Sequence, residues 1–314
     1  MLKIKLLEGK VAIITGAGRG IGYQEAISFA KEGCNLLLND LGCSYNGYGQ
    51  ERVVDEVAEE INKTGGRAIA NYDDVSNFKQ AEKMVEEAIS EFGKLDIVIN
   101  NAGIIRDRMI YNMTEEEWDA VVSVHLKGTF NMSRHIARYF REKGKNNRKF
   151  SGRIINAVSD AGLLGNLGQT NYGSAKSGIA GMTLILAGEL KKYATVNAVI
   201  QIARTRFTLN SSPQIANIMY KKDENEFDIF NPMNVVPIMV FLASDKAKKT
   251  NGEIFRVAGD KCWILRGWHS VNRIDNNSKI FDPDVLGKRI KQELLKNLPK
   301  KETVMEVFSQ LVKM

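Results

Sequence analysis

Apolar positions alternate along this chain between short β-branched runs and longer stretches with helical period, a pattern that predicts a layered α/β fold. Val11-Ala12-Ile13-Ile14 opens the series as a strand, and a helical pattern follows through Ala30. Asn35 to Asp40 is a second strand, before an amphipathic helix over about 51–63 that Thr64-Gly65-Gly66 stops. Residues 67–72 form a third strand, 78–92 a helix, and Leu95-Asp96-Ile97-Val98-Ile99-Asn100 a fourth strand. That run is almost continuously apolar, as suits a parallel strand covered on both faces. Thr114-Glu115-Glu116-Glu117 has the form of a capping box, and its helix is read as running past His125 to Tyr139 with Gly128 inside. Arg153 to Asn156 is the fifth strand, a helix runs from Asn171 to about Tyr193, and Val196 to Ile200 is the sixth strand. The long mixed stretch from Gln201 to Phe230 is expected to be a lid or substrate wall. Pro232 starts another helix, and Glu253 to Val257 supplies a seventh strand. The alternation predicts one doubly wound, seven-stranded parallel sheet with helices on both faces, spanning residues 1–268. Beyond Gly267 the composition turns polar, so residues 269–314 are expected to be a C-terminal helical extension or linker.

The first strand-to-helix junction carries chemistry. Thr15-Gly16-Ala17-Gly18-Arg19-Gly20-Ile21-Gly22 fills it with glycine, which permits tight turning, and the following helix offers unpaired N–H groups to an anion. It lacks the Lys-Ser/Thr ending of a nucleoside triphosphate loop, so the sheet is expected to be Rossmann-type and to bind a dinucleotide. Gly16, Arg19, Gly20, Ile21 and Gly22 are its candidate contacts. Asp40 falls at the carboxyl end of the second strand, where a carboxylate accepts both ribose hydroxyls of NAD and repels a 2′-phosphate. Arg19 pulls the other way, since a guanidinium in the glycine loop pairs well with that phosphate. A simple turn before Gly42 is the plainer reading of Asp40. Asp74, followed by Val75, stands where it can receive the adenine amino group or merely cap the next turn. Asn101-Ala102-Gly103 closes the fourth strand with small residues beside the cofactor.

Tyr172 and Lys176 stand four residues apart, on one face of the predicted helix. The ammonium is expected to lower the phenol from its ordinary value of about 10 toward neutrality, making Tyr172 a proton acceptor. Ser159, after the fifth strand, can donate a hydrogen bond to a substrate oxygen on which charge develops. The pair alone is common by chance; the phosphate turn gives it a hydride partner, and Lys176 a second job on the nicotinamide ribose.

Composition narrows the class. The 314 residues carry a net charge of +7, but the basic residues are spread over helices and tail, so no nucleic-acid partner is expected. A CoA-linked or other anionic substrate suits the same charge. Cys34, Cys43 and Cys262 show neither metal-ligand nor disulfide spacing, which predicts no metal site and a reducing interior. The first eight residues are too short and charged for a signal peptide, and no apolar run is long enough for a membrane span, so an intracellular soluble protein is expected.

Taken together, the glycine turn, Asn100-Asn101-Ala102-Gly103, Ser159 and Tyr172-Gly173-Ser174-Ala175-Lys176 resemble the short-chain dehydrogenase/reductase family over about residues 6–268. The resemblance implies that Gly16, Gly20, Gly22, Asn101, Ala102 and Gly103 serve the cofactor. It makes Ser159, Tyr172 and Lys176 catalytic, and gives Thr205 to the nicotinamide carboxamide. The family's usual fourth catalytic member, an asparagine on the helix after the fourth strand, is replaced by His125, which the resemblance makes catalytic in its place. With Asn39-Asp40-Leu41-Gly42, Gly103 to Arg108 and Gly165 to Gln169, this histidine resembles the dehydrogenase part of the peroxisomal multifunctional enzymes of type 2. The implied reaction is NAD-dependent oxidation of a (3R)-3-hydroxyacyl-CoA in fatty-acid β-oxidation, with a hydratase as partner and the peroxisome as location, the cytoplasm otherwise. Alternatives are a 3-oxoacyl reductase or hydroxysteroid dehydrogenase, or a scaffold that binds cofactor without catalysis. Small residues along the Asn171 helix suggest a homodimer. Gln201, where proline is usual, and Gly259-Asp260-Lys261-Cys262-Trp263 depart from the family pattern, and Val312-Lys313-Met314 does not resemble a peroxisomal address.

Overall fold

The computed structural model describes residues 5–211, 213–220 and 226–313, the last without its side chain. In chain order the elements begin β1 (Val11–Thr15), α1 (Gly20–Lys31), β2 (Asn35–Asn39), α2 (Val53–Lys63), β3 (Arg67–Asn71), α3 (Phe78–Phe92) and β4 (Ile97–Asn100). They continue with α4 (Glu115–Val122), α5 (Gly128–Asn146), β5 (Gly152–Val158), α6 (Thr170–Glu189), β6 (Ala194–Ile202), α7 (Arg206–Ser211) and α8 (Pro213–Met219). The chain closes with α9 (Val236–Ala243), β7 (Ile254–Ala258), β8 (Lys261–Leu265), α10 (Pro283–Arg289) and α11 (Val304–Lys313).

The strands lie in the order β3-β2-β1-β4-β5-β6-β7-β8. All neighbours through β7 are parallel, and β8 runs antiparallel to β7. The chain reverses its winding between β1 and β4, so their carboxyl ends diverge into the crevice where such sheets bind ligands. The eighth strand adds an edge to the expected seven. Its Cys262-Trp263-Ile264-Leu265 run is apolar yet alternates between half-buried and exposed, and Gly259 at φ +57° makes the reversal that precedes it.

Asn77 caps α3 by accepting from the Lys79 and Gln80 amides, and the Thr114–Glu117 capping box starts α4 as the sequence predicts. The helix expected to pass His125 is interrupted by a π turn over Ser123–Lys127 between α4 and α5. Gly128 follows it, and a Cβ there would lie 2.8 Å from Val75 Cγ2, so glycine is what allows this close approach.

Apolar side chains form clusters on both faces of the sheet, and a further cluster gathers Val158, Ile200, Ile215, Met219 and Phe230 with Val304, Val307, Phe308 and Leu311 of α11. The end of the C-terminal extension thus packs against β6 and β7 in a cluster of its own. Its apolar positions fall at i, i+3, i+4 and i+7, one face of a helix. No helix among the described residues is long and apolar enough to cross a membrane.

Candidate active site

A cavity of about 600 Å³ lies where the chain leaves β1, β4, β5 and β6. Its wall includes Gly16, Arg19, Gly20, Ile21, Asp40, Asp74, Val75, Asn101, Ala102, Gly103 and Thr205. The same wall carries His125, Ser159, Tyr172 and Lys176. Of the predicted site residues only Gly22 lies off this wall. A Cβ on it would sit 2.1 Å from the Gly16 carbonyl oxygen, so its smallness serves the close fit of α1 beneath the turn.

The turn is held from below by β4. Thr15 Oγ1 donates to the Ile99 carbonyl and accepts the amides of Asn101 and Ala102, each at 3.0 Å. Asn101 Nδ2 donates to the carbonyls of Thr15 and Gly16. Gly16 has φ +68°, and a Cβ there would meet Ala102 Cα at 2.9 Å. These bare backbones beside the start of α1 form a cradle that side chains would fill, which fits a pyrophosphate. Asp40 accepts the Gly18 amide at 2.9 Å through Oδ2 and the Gly42 amide at 2.7 Å through Oδ1, which fixes its carboxylate at the rim. Arg19 is paired with Glu51 and donates to the Cys43 carbonyl. Asp74 spends both oxygens on Ser76, the capping alternative, while still lining the cavity. Val75 is buried and its carbonyl accepts from Asn131.

On the other side, Lys176 Nζ donates to the Ala157 carbonyl at 2.7 Å and lies 5.6 Å from the centre of the Tyr172 ring. A buried chain sets the geometry of these elements: Asn100 donates to Asn156, Asn156 to Thr183, and Thr183 to the Ile179 carbonyl, tying β4, β5 and α6 together. His125 stands edge-on to Tyr172, with ring centres 5.1 Å apart. Its Nε2 is 3.1 Å from the Ile104 amide nitrogen and 2.8 Å from the Ile104 carbonyl oxygen. Gly103 makes room for this ring, since a Cβ would lie 2.2 Å from His125 Cε1.

This arrangement matches a known one. The profile of the family described as short chain dehydrogenase covers residues 10–211. The chain belongs to this family. It is 38% identical over 283 residues to the hydroxyacyl-CoA dehydrogenase ChsB1 of Mycobacterium tuberculosis, covering 89% of this chain and 87% of that one. It is also 38% identical to a peroxisomal hydratase-dehydrogenase-epimerase of Neurospora crassa, over 90% of this chain but only 30% of that longer protein. A crystal structure of a short chain dehydrogenase from Mycobacterium avium superposes with a TM-score of 0.83 at 40% identity, covering 95% and 99% of the two chains. The protein is an oxidoreductase that uses a nicotinamide dinucleotide.

Electrostatics in this dehydrogenase correct one expectation. The Tyr172 phenol is not drawn toward neutrality; burial pushes it up to about 12, Asp107 adds to the rise, and Ser159 opposes it through a hydrogen bond. Burial likewise pushes Lys176 down to about 7, so the ammonium that was to lower the phenol is itself made costly. Burial, with the Lys176 charge, holds His125 down at about 3.

The residue reading of the sequence passed over Asp107, Arg206, Val304 and Phe308. Asp107 accepts from Gln169 at 2.8 Å, and burial pushes its carboxyl up to about 6. Arg206 lines the cavity and shares its surroundings with Arg19, Asp40 and Glu51. Val304 and Phe308 reach the same wall from α11. Their periodic spacing was the available signal; nothing local marked the cavity as their destination.

Proposed function

We propose that this dehydrogenase oxidises (3R)-3-hydroxyacyl-CoA thioesters to 3-oxoacyl-CoA with NAD, as a step of fatty-acid β-oxidation. The observation that carries the reading is one cavity lined both by Ser159, Tyr172, Lys176 and His125 and by apolar Phe207, Ile215, Val304 and Phe308. It suits a substrate with a hydroxyl at one point and a hydrocarbon chain beyond it. The named relatives supply the thioester class. Asp40, ordered by two backbone amides, favours unphosphorylated ribose.

In this reading Gly16, Gly20 and the start of α1 hold the pyrophosphate, Asp40 the adenosine ribose, Asp74 and Val75 border the adenine, and Thr205 meets the carboxamide. Bound NAD supplies the acceptor for the hydride that leaves C3. Ser159 Oγ donates to the substrate oxygen and orients it. In the oxidative direction the Tyr172 phenol first gives up its own proton to solvent, and the phenolate, stabilised by protonated Lys176, then takes the substrate hydroxyl proton; in the reductive direction the resting phenol is the donor. His125, neutral and fixed on Ile104, keeps Tyr172 and Lys176 in their packed geometry.

The reading is tested by following NADH formation from both enantiomers of 3-hydroxybutyryl-CoA and 3-hydroxydecanoyl-CoA. Turnover of the R form only is expected, and no turnover with any chain length of the R form would sink the proposal. Tyr172→Phe should lose about 10²- to 10⁴-fold in kcat while NAD binds nearly as in the wild type. Turnover equal to the wild type would contradict the assignment.

One observation favours a second reading, a 3-oxoacyl reductase using NADPH: Arg19 and Arg206 stand together beside the ribose position. A higher kcat/KM with NADPH than with NADH would select it. The proposal further includes a homodimer, supported by exposed Leu184 and Ile185 on α6, a separate hydratase that supplies the substrate, and residence in the peroxisome. A monomeric mass throughout a concentration series would remove the dimer.

A further inference from the structure

We infer that Arg256 is a positioning residue that ties the C-terminal helix α11 to the turn after Ser159, so that the apolar wall of the cavity stays in place only while Glu302 is paired. Arg256 lies on β7, and its guanidinium is almost wholly removed from water. Its Nε and Nη2 donate to Asp160 Oδ1 at 3.0 and 2.6 Å. Its Nη1 and Nη2 donate to Glu302 Oε2 at 3.3 and 3.2 Å. One cation therefore joins two carboxylates that are far apart in the chain, with the planar fork that only arginine offers.

What each carboxylate carries gives the link its meaning. Asp160 is buried, follows Ser159 directly and starts the turn over Ala161–Gly165. That turn presses on α6: a Cβ on Gly162 would lie 2.6 Å from the Ser177 nitrogen and 2.9 Å from Lys176 Cβ. Glu302 stands just before α11, whose Val304 and Phe308 line the cavity. Moreover α11 packs on the 161–165 turn itself and on α8. The Glu302 side chain is 43% exposed against 2% for Asp160, so the tail arm is the one that can let go.

The charge balance makes this arm testable. Removing Arg256 would leave the buried Asp160 carboxylate without a counter-ion, a change that threatens the fold. Removing the Glu302 charge leaves Arg256 and Asp160 as a neutral buried pair, so the sheet should survive. An ion pair that merely decorates the surface would give a change confined to the tail.

The decisive measurement is amide hydrogen exchange on the full chain of Glu302→Gln. Residues 303–313 and 160–165 should both exchange about tenfold faster or more. Faster exchange in 303–313 alone, or in neither segment, overturns the tie. Phe308→Ala serves as the second variant, since it thins the wall but keeps the ion pair; protection of 160–165 should hold, and its loss would show general loosening instead. A kinetic arm rests on the hydroxyacyl thioester reading. In Glu302→Gln the KM should rise about tenfold for a ten-carbon substrate and stay within about twofold for a four-carbon one. Equal changes at both lengths overturn the wall's dependence on Glu302. Absence of thioester turnover in the wild type would defeat the functional reading, while the exchange result would still decide the link.

Discussion

Lys176 is buried and Tyr172 half-buried, and desolvation moves their titrations in opposite directions, the ammonium down to about 7 and the phenol up to about 12. Both shifts penalise the charged form, and the Lys176 ammonium is pinned to the Ala157 carbonyl, not to the phenol. His125 shares the same space and is held at about 3, so at working pH it is neutral and acts by hydrogen bonding and packing. Its edge contact with Tyr172 and its hold on Ile104 are separable by substitution. In His125→Asn, which restores the family's usual residue, kcat should stay within about tenfold of the wild type. In His125→Leu, which fills the space without a polar atom, kcat should fall about a hundredfold. Steady-state rates of the two variants check this, and equal losses would reduce His125 to a space-filling role.

At the scale of elements, the strand and helix order was legible because buried parallel strands and amphipathic helices have different periods. The glycine turn, Asp40, Asn101-Ala102-Gly103, Ser159, Tyr172 and Lys176 could be read because each sits at or near the end of such an element, and all the predicted site residues but Gly22 line one cavity. The π turn over Ser123–Lys127 was not legible: it shifts the apolar phase by about one residue, and the eight-residue α4 before it is too short to set that phase clearly. The β8 edge was missed although Cys262-Trp263-Ile264-Leu265 is apolar, because the Gly259 to Trp263 stretch stands out only as a departure from the family pattern; the destination of α11 was missed because a helical period says which face is buried and not against what. The β2 end permits a direct test of cofactor choice. Asp40 is anchored by Gly18 and Gly42, and under the proposed NAD reading it meets the adenosine ribose, so Asp40→Ser tests that preference by removing the carboxylate. The kcat/KM ratio of NAD over NADP should fall about tenfold or more. An unchanged ratio would show that Arg19 and Arg206 set the preference.

Across the whole molecule, the sheet is stitched by buried polar links between distant parts of the chain, and one of them carries a pH signature. Glu25 on α1 is fully buried; its Oε1 accepts from Gln201 Nε2 at 2.9 Å, and its Oε2 has no hydrogen-bond partner among the described residues. Gln201, which stands where the family usually has proline, thus bonds the helix beneath the phosphate cradle to the end of β6. Burial pushes the Glu25 carboxyl up to about 8 from an ordinary 4.5. The folded chain therefore keeps this proton over a range in which the unfolded chain releases it. Its contribution is fully present below about pH 4.5 and is lost as pH rises through about 8. Within that window the loss amounts to at most about 1.4 kcal/mol per pH unit. Glu25→Gln keeps the shape, has no proton to lose, and should gain stability over the wild type steadily between pH 5 and 8. Because the comparison is a difference between two otherwise identical chains, the titrations of Lys176, His125 and Asp107 cancel. Urea midpoints measured for both proteins across this range check the prediction, and parallel pH profiles would mean that Glu25 ionises in the folded protein as freely as in the unfolded one.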